Sequence, residues 1–207
     1  MGSTSCVFSI RDSRNLEGRS VSFAFVPAAV PGLVIVQPRV FPDDRGFFME
    51  SYKESDFLRA GIAAHFVQDN HSCSAQGVLR GLHYQLPPYA QGKLARVIEG
   101  SVWDVAVDIR MDSPTFGKWY GIELSAGDHQ MLYIPSGFAH GFVALTEHTQ
   151  FLYKCTAEYC KESETGIRWN DPAIGIQWPV ANPIVSERDQ SLPLLSGATL
   201  FPSAGQT

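Results

Sequence analysis

Short apolar runs separated by Gly, Pro, Asn and Asp make up most of the chain from residue 22 onward. The clearest runs are four to nine residues long and lie at 65–70, 78–85, 93–98, 102–109, 119–124, 131–134, 141–145 and 149–157. Short runs of this kind, with turn residues between them, are typical of strands in a sandwich or barrel. The pattern therefore predicts an all-β fold.

Two earlier segments add one strand and one helix. Leu33–Gln37 is rich in β-branched residues and ends at Pro38. Because proline has no N–H to donate, this pattern is consistent with an early strand at the edge of a sheet. Ser55–Ala60 is the one helix predicted in this region, with Ser55 as its N-cap and Gly61 ending it.

The run Ser101–Arg110 is the clearest strand, because its residues alternate between two faces. One face carries Trp103, Val105, Val107 and Ile109, and the other carries Val102, Asp104, Ala106 and Asp108. Two carboxylates on one face normally indicate solvent, whereas inside a barrel the same face would line a polar pocket. The alternation leaves both interpretations open.

Length and composition favour one domain with short ends. The chain has 207 residues, of which 44% are hydrophobic, with 18 Gly and 13 Pro, and a chain of this length typically forms one domain. We predict a flexible leader at residues 1–20, which is rich in Ser, Arg and Asn, a folded domain at 21–195 and a weakly ordered tail at 196–207.

Charge and cysteine usage exclude several classes of protein. The net charge is −5, whereas nucleic-acid binders usually carry a basic patch or stripe, and no apolar run approaches the roughly 18 residues of a membrane span. We therefore expect no nucleic-acid partner and no membrane association. The four cysteines show no CxxC spacing, so we predict free thiols in the reducing cytoplasm.

His83 is the first candidate for chemistry, because histidine titrates near neutral pH. It lies in the stretch Gly77–Gln85, three residues after Arg80 and ten before Lys93. Strict alternation would put Arg80 and His83 on opposite faces, but a bulge at Gly81 would bring both inward. A lone histidine in a strand is also commonly structural, and so is a turn histidine such as His140. The default interpretation of Tyr153 is an aromatic residue of the core.

Ten stretches of the chain, in order, resemble the dTDP-4-dehydrorhamnose 3,5-epimerase family and together cover most of it from about Phe25 to Leu195. They are Pro38–Glu50, Phe66–Ser72, Gly77–Gln85, Gln91–Lys93, Val105–Arg110, Ser113–Trp119, Ile134–Gly141, Phe151–Lys154, Gly166–Pro172 and Ser186–Asp189. The resemblance implies a cupin-like jelly-roll barrel with a few short helices, usually a homodimer, whose site lies inside the barrel.

The same resemblance implies roles for particular residues. His83 matches the general base, and Asp189 the carboxylate that orients it. Lys93 matches the group that stabilises the enolate oxygen, and Tyr153 the acid on the opposite face. His140 and Asp104 match supporting positions next to the base. The positions that contact the nucleotide-sugar match Arg45, Gln68, Asn70, Arg80 and Tyr159. Arg45 is expected to reach the ligand of the partner subunit.

The implied reaction inverts C3 and C5 of dTDP-4-keto-6-deoxy-D-glucose through an enolate, without a metal or organic cofactor. The usual cupin metal signature is missing, because Tyr84 and Gln85 follow His83 and catalytic zinc generally takes three protein ligands. An epimerase that inverts one centre, a metal-dependent cupin enzyme and a non-catalytic sugar-nucleotide binding module are the alternatives.

Overall fold

The computed structural model describes residues 22–201, which fold into strands with two short α-helices and one 3₁₀ helix. In chain order the elements are β1 (Phe23–Pro27), β2 (Val34–Pro38), β3 (Val40–Asp43), β4 (Gly46–Met49), α1 (Glu54–Arg59), β5 (Gln68–Ser74), β6 (Val78–Gln85), β7 (Lys93–Glu99), β8 (Ser101–Asp108), β9 (Trp119–Ser125), β10 (Met131–Ile134), β11 (Phe138–Ala144), β12 (Thr149–Cys155), β13 (Glu164–Gly166), β14 (Ile184–Val185), α2 (Glu187–Gln190) and the 3₁₀ helix Leu195–Gly197. The eight strands predicted from apolar runs correspond to β5–β12, with ends that differ by at most four residues.

Two sheets form the body of the fold. The first has the order β1-β2-β10-β7-β12-β5, and the second has the order β13-β6-β11-β8-β9, with β14 added in parallel to β6. Strands β3 and β4 form a separate hairpin. Strands that are adjacent in sequence are often in different sheets, as β6 and β7 are, so the chain winds between two walls. This arrangement confirms the predicted all-β, cupin-like jelly roll with a few short helices.

The main core lies between the two sheets and fills only part of the space there. Its largest side chains come from β11 and β12, and they pack with Ala95 and Val97 of β7 and Leu132 of β10. Phe142 and Phe151 pack with ring centroids 4.3 Å apart. Towards one end of the sandwich the inward positions become polar, and that end contains the cavity described below.

The outer face of the second sheet is covered by the C-terminal part of the chain. Val105 and Val107 of β8, with Ile109 just after the strand, pack against Ile167, Ile174 and nearby aromatic side chains. Both faces of β8 are therefore buried. Asp104 and Asp108 have no exposed surface, so the solvent-facing interpretation of their face is wrong.

Helix α1 packs on the outer face of the first sheet through Phe57, which is fully buried. The helix begins one residue before the predicted start, with Lys53 at the N-cap position, so the predicted Ser55 cap is wrong. Ser55 falls inside the first turn. Gly61 does follow the helix: it has a φ of +83° and donates its N–H to Leu58, while Ile62 donates to Phe57. This hydrogen-bond pair is a Schellman ending, which favours glycine.

Two further predictions concern the N-terminal strand and the chain ends. β2 pairs with both β1 and β10, so the edge strand is β1 and the edge position predicted for Leu33–Gln37 is wrong. The predicted leader, residues 1–20, lies outside the described residues, as do residues 202–207 of the predicted tail. Residues Leu200 and Phe201 pack against the cluster on the second sheet.

No helix within residues 22–201 is both long enough and apolar enough to span a membrane.

Candidate active site

A cavity of about 530 Å³ lies between the two sheets at the polar end of the sandwich. Side chains from β5, β6, β7, β11, β12 and α2 line it, among them Ser72, Arg80, His83, Lys93, His140, Tyr153, Arg188 and Asp189. An adjoining cavity of about 340 Å³ shares His83, Lys93 and Tyr153 with the first and is also lined by Gln68, Asn70, Tyr159 and Glu164. Together the two cavities bring most of the predicted site residues to one place.

A bulge in β6 places Arg80 and His83 on the same cavity wall. His83 lies opposite His140, and Arg80 lies opposite Phe142. An interval of three residues on β6 therefore pairs with an interval of two residues on β11, which leaves one extra residue on β6. Gly81 lies within the bulge at a φ of +127°, and a Cβ added there would lie 2.5 Å from the Cα of Gly141. Only glycine allows this approach of the two strands. The predicted bulge is confirmed.

His83 is hydrogen-bonded to Asp189, which lies 106 residues later in the chain. The Nε2 of His83 is 2.7 Å from Oδ1 of Asp189, and the N–H of Gly81 donates to Oδ2 at 3.2 Å. Burial alone raises the pKa of Asp189, but hydrogen bonds from His83 and Gly81 outweigh it and hold the pKa below its ordinary value. In the neutral imidazole, an ionised Asp189 favours the tautomer of His83 with its proton on Nε2, which makes Nδ1 the acceptor.

His140 forms a second histidine–carboxylate pair deeper in the fold. Its Nε2 is 2.7 Å from Oδ1 of Asp104, and both residues are buried. Burial lowers the pKa of His140, and the Asp104 charge only partly opposes this. His140 is therefore neutral at neutral pH and, next to His83 across the two strands, forms part of the same wall.

Asp108 serves a different purpose from Asp104. Its carboxylate accepts hydrogen bonds from Arg110, Ser113 and Thr115, which stabilise the turn after β8. These bonds act against burial and bring its pKa down to about 2.

Lys93 and Tyr153 project into the cavity from the opposite sheet. They lie on the neighbouring strands β7 and β12, and the Nζ of Lys93 is 5.7 Å from the centre of the Tyr153 ring. Burial lowers the pKa of Lys93, although nearby Cys155, Asp104 and Glu164 oppose the effect. Burial raises the pKa of Tyr153 to about 12, so its hydroxyl keeps its proton at neutral pH.

Polar side chains line the adjoining cavity and are already held in place by one another. The amide of Gln68 donates to Asn70 at 3.0 Å and accepts the backbone N–H of Tyr159 at 2.8 Å. The Tyr159 hydroxyl donates to Glu164 at 2.8 Å. In the first cavity, Arg80 is held by a hydrogen bond from its Nε to the hydroxyl of Ser74. These bonds fix the orientation of polar groups in the site before a ligand binds, and a few fixed polar groups are what orients a ligand in a pocket.

Two predicted site residues do not line either cavity: Asp104 is buried behind His140, and Arg45 lies away from the site. Arg45 lies at the turn of the β3–β4 hairpin, where its side chain is 89% exposed and is hydrogen-bonded to Asp43 at 2.5 Å. The aromatic residues around it, Phe47 and Phe48, are also exposed.

Sequence reasoning assigned no site role to several residues that line the cavities, among them the polar residues Ser72, Glu164 and Arg188. Ser72 could have been found, because it follows Gln68 and Asn70 at two-residue intervals on β5 and so shares their face. Glu164 lies in the three-residue strand β13 and Arg188 in the four-residue helix α2. Elements this short show no periodic pattern that would predict which way a side chain points.

Among the described residues there is no group of three or more His, Cys, Asp or Glu side chains arranged to hold a metal ion. His83 and His140 lie opposite each other, but the Nε2 of each is already bonded to its own carboxylate. Cys73, Cys155 and Cys160 are free thiols, and Cys6 lies outside the described residues.

Comparison with known proteins identifies the family. The family model described as dTDP-4-dehydrorhamnose 3,5-epimerase matches residues 27–197. A dTDP-4-dehydrorhamnose 3,5-epimerase from Shigella flexneri is 55% identical over 165 residues, which are 79% of this chain and 91% of that protein. The crystal structure of a dTDP-6-deoxy-D-glucose-3,5-epimerase from Legionella pneumophila in complex with dTDP-4-keto-L-rhamnose is 44% identical, with a TM-score of 0.84, and the match covers 88% of this chain and 98% of that one.

A more distant structure has a related but narrower activity. It is a 3'-monoepimerase from Streptomyces bikiniensis in complex with dTDP-quinovose, 32% identical, with a TM-score of 0.77 over 82% of this chain and 87% of that one. The family match spans nearly the whole described region, and the nearer relatives share about half of their residues with it. The chain belongs to the dTDP-4-dehydrorhamnose 3,5-epimerase family.

Proposed function

We propose that this protein epimerises dTDP-4-keto-6-deoxy-D-glucose at C3 and C5, giving dTDP-4-keto-L-rhamnose, with the residues of the two-sheet cavity as its acid and base. The observation that carries the proposal is the placement of His83 and Tyr153 on different sheets around one cavity. Inverting a carbon next to a ketone requires removal of a proton from one face and delivery of another to the opposite face. Two proton-transfer groups on opposing walls meet that requirement.

His83 is the proposed base. With Nε2–H donated to Asp189, the imidazole presents Nδ1 as its acceptor, and Asp189 stabilises the imidazolium that forms when the substrate proton arrives. The carboxylate also holds the ring in one orientation. A positioned base of this kind contributes roughly 10²–10⁴-fold to the rate. His140 and Asp104 support the wall beside it.

Lys93 is the proposed stabiliser of the enolate oxygen. When the C–H bond breaks, its electron pair delocalises onto the C4 ketone oxygen, and an ammonium next to that oxygen lowers the energy of the enolate. A prearranged donor at a developing oxyanion is worth about 3–4 kcal/mol. Because Lys93 is buried, its charge acts with little screening by water.

Tyr153 is the proposed acid on the second face. Its raised pKa keeps the phenol protonated at neutral pH, so it can donate to the enolate carbon from the first sheet. The tyrosinate that results then regains a proton from solvent, and His83 loses its proton to solvent. Each inverted centre therefore acquires one solvent hydrogen.

Gln68, Asn70, Arg80 and Tyr159 are the proposed contacts for the nucleotide part of the substrate. The support is their position in or next to the adjoining cavity, where amide, guanidinium and aromatic groups suit diphosphate and pyrimidine chemistry. Because side chains supply the proposed base, acid and enolate stabiliser, we propose that the reaction needs no metal or organic cofactor. The cytoplasm stays the predicted compartment.

Arg45 is proposed to act on the partner subunit of a homodimer. The support is its exposed position on a hairpin with exposed aromatic residues, away from the cavity of its own chain. Mixing Arg45→Ala with His83→Ala protein tests this, because a mixed dimer then has one site with both residues intact. Recovery of activity on mixing supports the proposal, and failure to recover, with dimers verified by light scattering, contradicts it.

Solvent deuterium incorporation tests the reaction itself. The protein is incubated with dTDP-4-keto-6-deoxy-D-glucose in D₂O, and the label at C3 and C5 is counted by NMR. Two labels with inverted product support the proposal, one label indicates a single-centre epimerase like the more distant relative, and none refutes both. His83→Ala is expected to abolish exchange while dTDP binding persists, which separates an enzyme from a binding module.

A further inference from the structure

Glu164 holds together two parts of the site that are far apart in the sequence. Its Oε2 accepts a hydrogen bond from the Tyr159 hydroxyl at 2.8 Å and forms an ion pair with Arg188. Arg188 immediately precedes Asp189 on α2. One carboxylate oxygen therefore joins the aromatic side chain at one end of the site to the helix that carries the partner of His83.

Helix α2 depends on such contacts for its position. It has four residues, and an isolated helix of this length has no stability of its own in water. The contacts that hold it include the Ser186 cap, the hydrogen bond of Gln190 to the Val185 carbonyl, the bonds of Asp189 to Gly81 and His83, and the ion pair of Arg188. The preceding β14 adds a pairing of only two residues with β6.

On the β13 side, strand pairing holds the acidic partner of the ion pair in place. Glu164 lies opposite Gln85 in the pairing of β13 with β6, and Gly166 lies opposite His83. The Glu164 side chain is 15% exposed and Arg188 is 56% exposed. Burial raises the pKa of Glu164, but hydrogen bonds from Arg188 and Tyr159 outweigh it and leave the pKa below its ordinary value. Glu164 is therefore ionised at neutral pH and attracts the guanidinium.

We propose that Glu164 and Arg188 are positioning residues that hold the Asp189 carboxylate against His83, and that Tyr159 connects this alignment to occupation of the nucleotide end of the site. The inference rests on the proposed function for the roles of His83 and Tyr159. Loss of the ion pair releases α2 on the side facing β13. The Asp189–His83 hydrogen bond is then formed less of the time, and fewer bound substrates meet a correctly oriented base.

The variants separate charge, shape and hydrogen bonding. Arg188→Gln removes the cation, Arg188→Lys keeps it, and Glu164→Gln removes the anion while still accepting from Tyr159. Arg59→Gln is the matched control, because Arg59 is 64% exposed and pairs with Asp56, which is 8% exposed, on α1 outside the site. We expect kcat to fall roughly 10- to 100-fold in Arg188→Gln, with KM changed less, since small misplacements of catalytic groups cost about that much.

Three results distinguish positioning from general stabilisation. Arg188→Lys should recover most of kcat, the double variant Arg188→Gln/Glu164→Gln should be no slower than the slower single variant, and Arg59→Gln should match the unmodified protein in kcat. Thermal unfolding of each variant shows whether the fold is intact. Normal kcat in Arg188→Gln, or additive losses in the double variant, would overturn the proposal.

A readout that does not need turnover keeps this inference separate from the proposed reaction. The proton between His83 and Asp189 should give a low-field ¹H NMR signal, assigned by its absence in His83→Asn. We expect the signal to be weakened or lost in Arg188→Gln and retained in Arg188→Lys and Arg59→Gln. An unchanged signal in Arg188→Gln refutes the positioning role even if the enzyme epimerises, and a protein that shows the expected pattern but exchanges no deuterium refutes the reaction alone.

Discussion

Replacing Asp189 with asparagine changes which nitrogen of His83 carries the proton. In the structure, Oδ2 of Asp189 accepts from the Gly81 N–H at 3.2 Å and Oδ1 accepts from Nε2 of His83 at 2.7 Å. Asparagine can keep the first bond with its single oxygen, which leaves its NH₂ group facing His83. That group only donates, so Nε2 must become the acceptor and the proton moves to Nδ1.

A histidine protonated on Nδ1 can no longer accept the substrate proton there. The corresponding change in a serine protease triad, where aspartate orients histidine in the same way, lowers kcat by about 10⁴, or about 5 kcal/mol of transition-state stabilisation. We expect Asp189→Asn to lose deuterium incorporation at both C3 and C5 to about that extent. The unfolding free energy should fall by less than about 2 kcal/mol, because the loss is one charge-assisted hydrogen bond.

The control is Asp171→Asn, which alters another buried carboxylate that accepts backbone N–H groups, including those of Ala173 and Leu195. It should lower stability and leave the rate per folded molecule unchanged.

We also predict how the stability difference between the unmodified protein and the Asp189→Asn variant changes with pH. The pKa of Asp189 is below its ordinary 3.8 in the folded state, so the contribution of its carboxylate is present above that pH and disappears as pH falls through the folded-state pKa. Exchange by Asp189→Asn within about tenfold of the unmodified rate would refute the tautomer argument, since the expected loss is far larger.

Other predictions test the remaining parts of the site. Tyr153→Phe should continue to exchange substrate hydrogens through His83 but form inverted product roughly 10²–10⁴ times more slowly, and equal loss of exchange and inversion would contradict its role as the second acid. The kcat–pH profile should fall on the alkaline side below pH 10.5, because burial lowers the pKa of Lys93 and its charged form is needed; a fall only near pH 12 would point to Tyr153 instead. Gly81→Ala should cost about 1–3 kcal/mol of stability or more and remove activity, since its Cβ would meet Gly141 at 2.5 Å; denaturant unfolding measures the first effect. Exhaustive chelation should leave activity unchanged, and a loss restored by a divalent metal would favour the metal-dependent alternative.

The parts of the fold that were predictable from sequence are those set by local patterns. Strands β5–β12 follow from alternating or apolar runs between turn residues, and the bulge at Gly81 follows from the need to put Arg80 and His83 on one wall. Gly61 at the end of α1 is also a local signal. The Ser55 cap failed because the helix begins earlier, at Glu54, after an N-cap residue, Lys53, whose side chain makes no capping hydrogen bond. The edge position of Leu33–Gln37 failed because β10, nearly 100 residues later, pairs with that strand.

The pairing of His83 with Asp189 has no local sequence signal at all. Asp189 reaches the cavity because β14, only two residues long, lies in parallel beside β6 and is followed directly by α2. A two-residue strand shows no periodicity, and a parallel partner more than 100 residues away cannot be read from spacing. Only the resemblance of Ser186–Asp189 to the family pattern predicted this contact. The same reason explains why Arg188 was missed.

The place of the cavity within the sandwich can be explained by the order of side chains along two neighbouring strands. On the inward face of β7, Lys93 comes first and Val97 later, and on β12, Phe151 comes first, then Tyr153 and Cys155. Because the strands are antiparallel, Lys93 lies opposite Cys155 and Val97 opposite Phe151. The apolar ends of both strands therefore meet and pack in the core, while the polar ends meet beside the cavity. If the order on β7 were reversed, the lysine would lie opposite Phe151 in the apolar core and a valine would take its place beside the cavity. Alternating positions on antiparallel neighbours thus fix both the packed and the reactive end of the barrel.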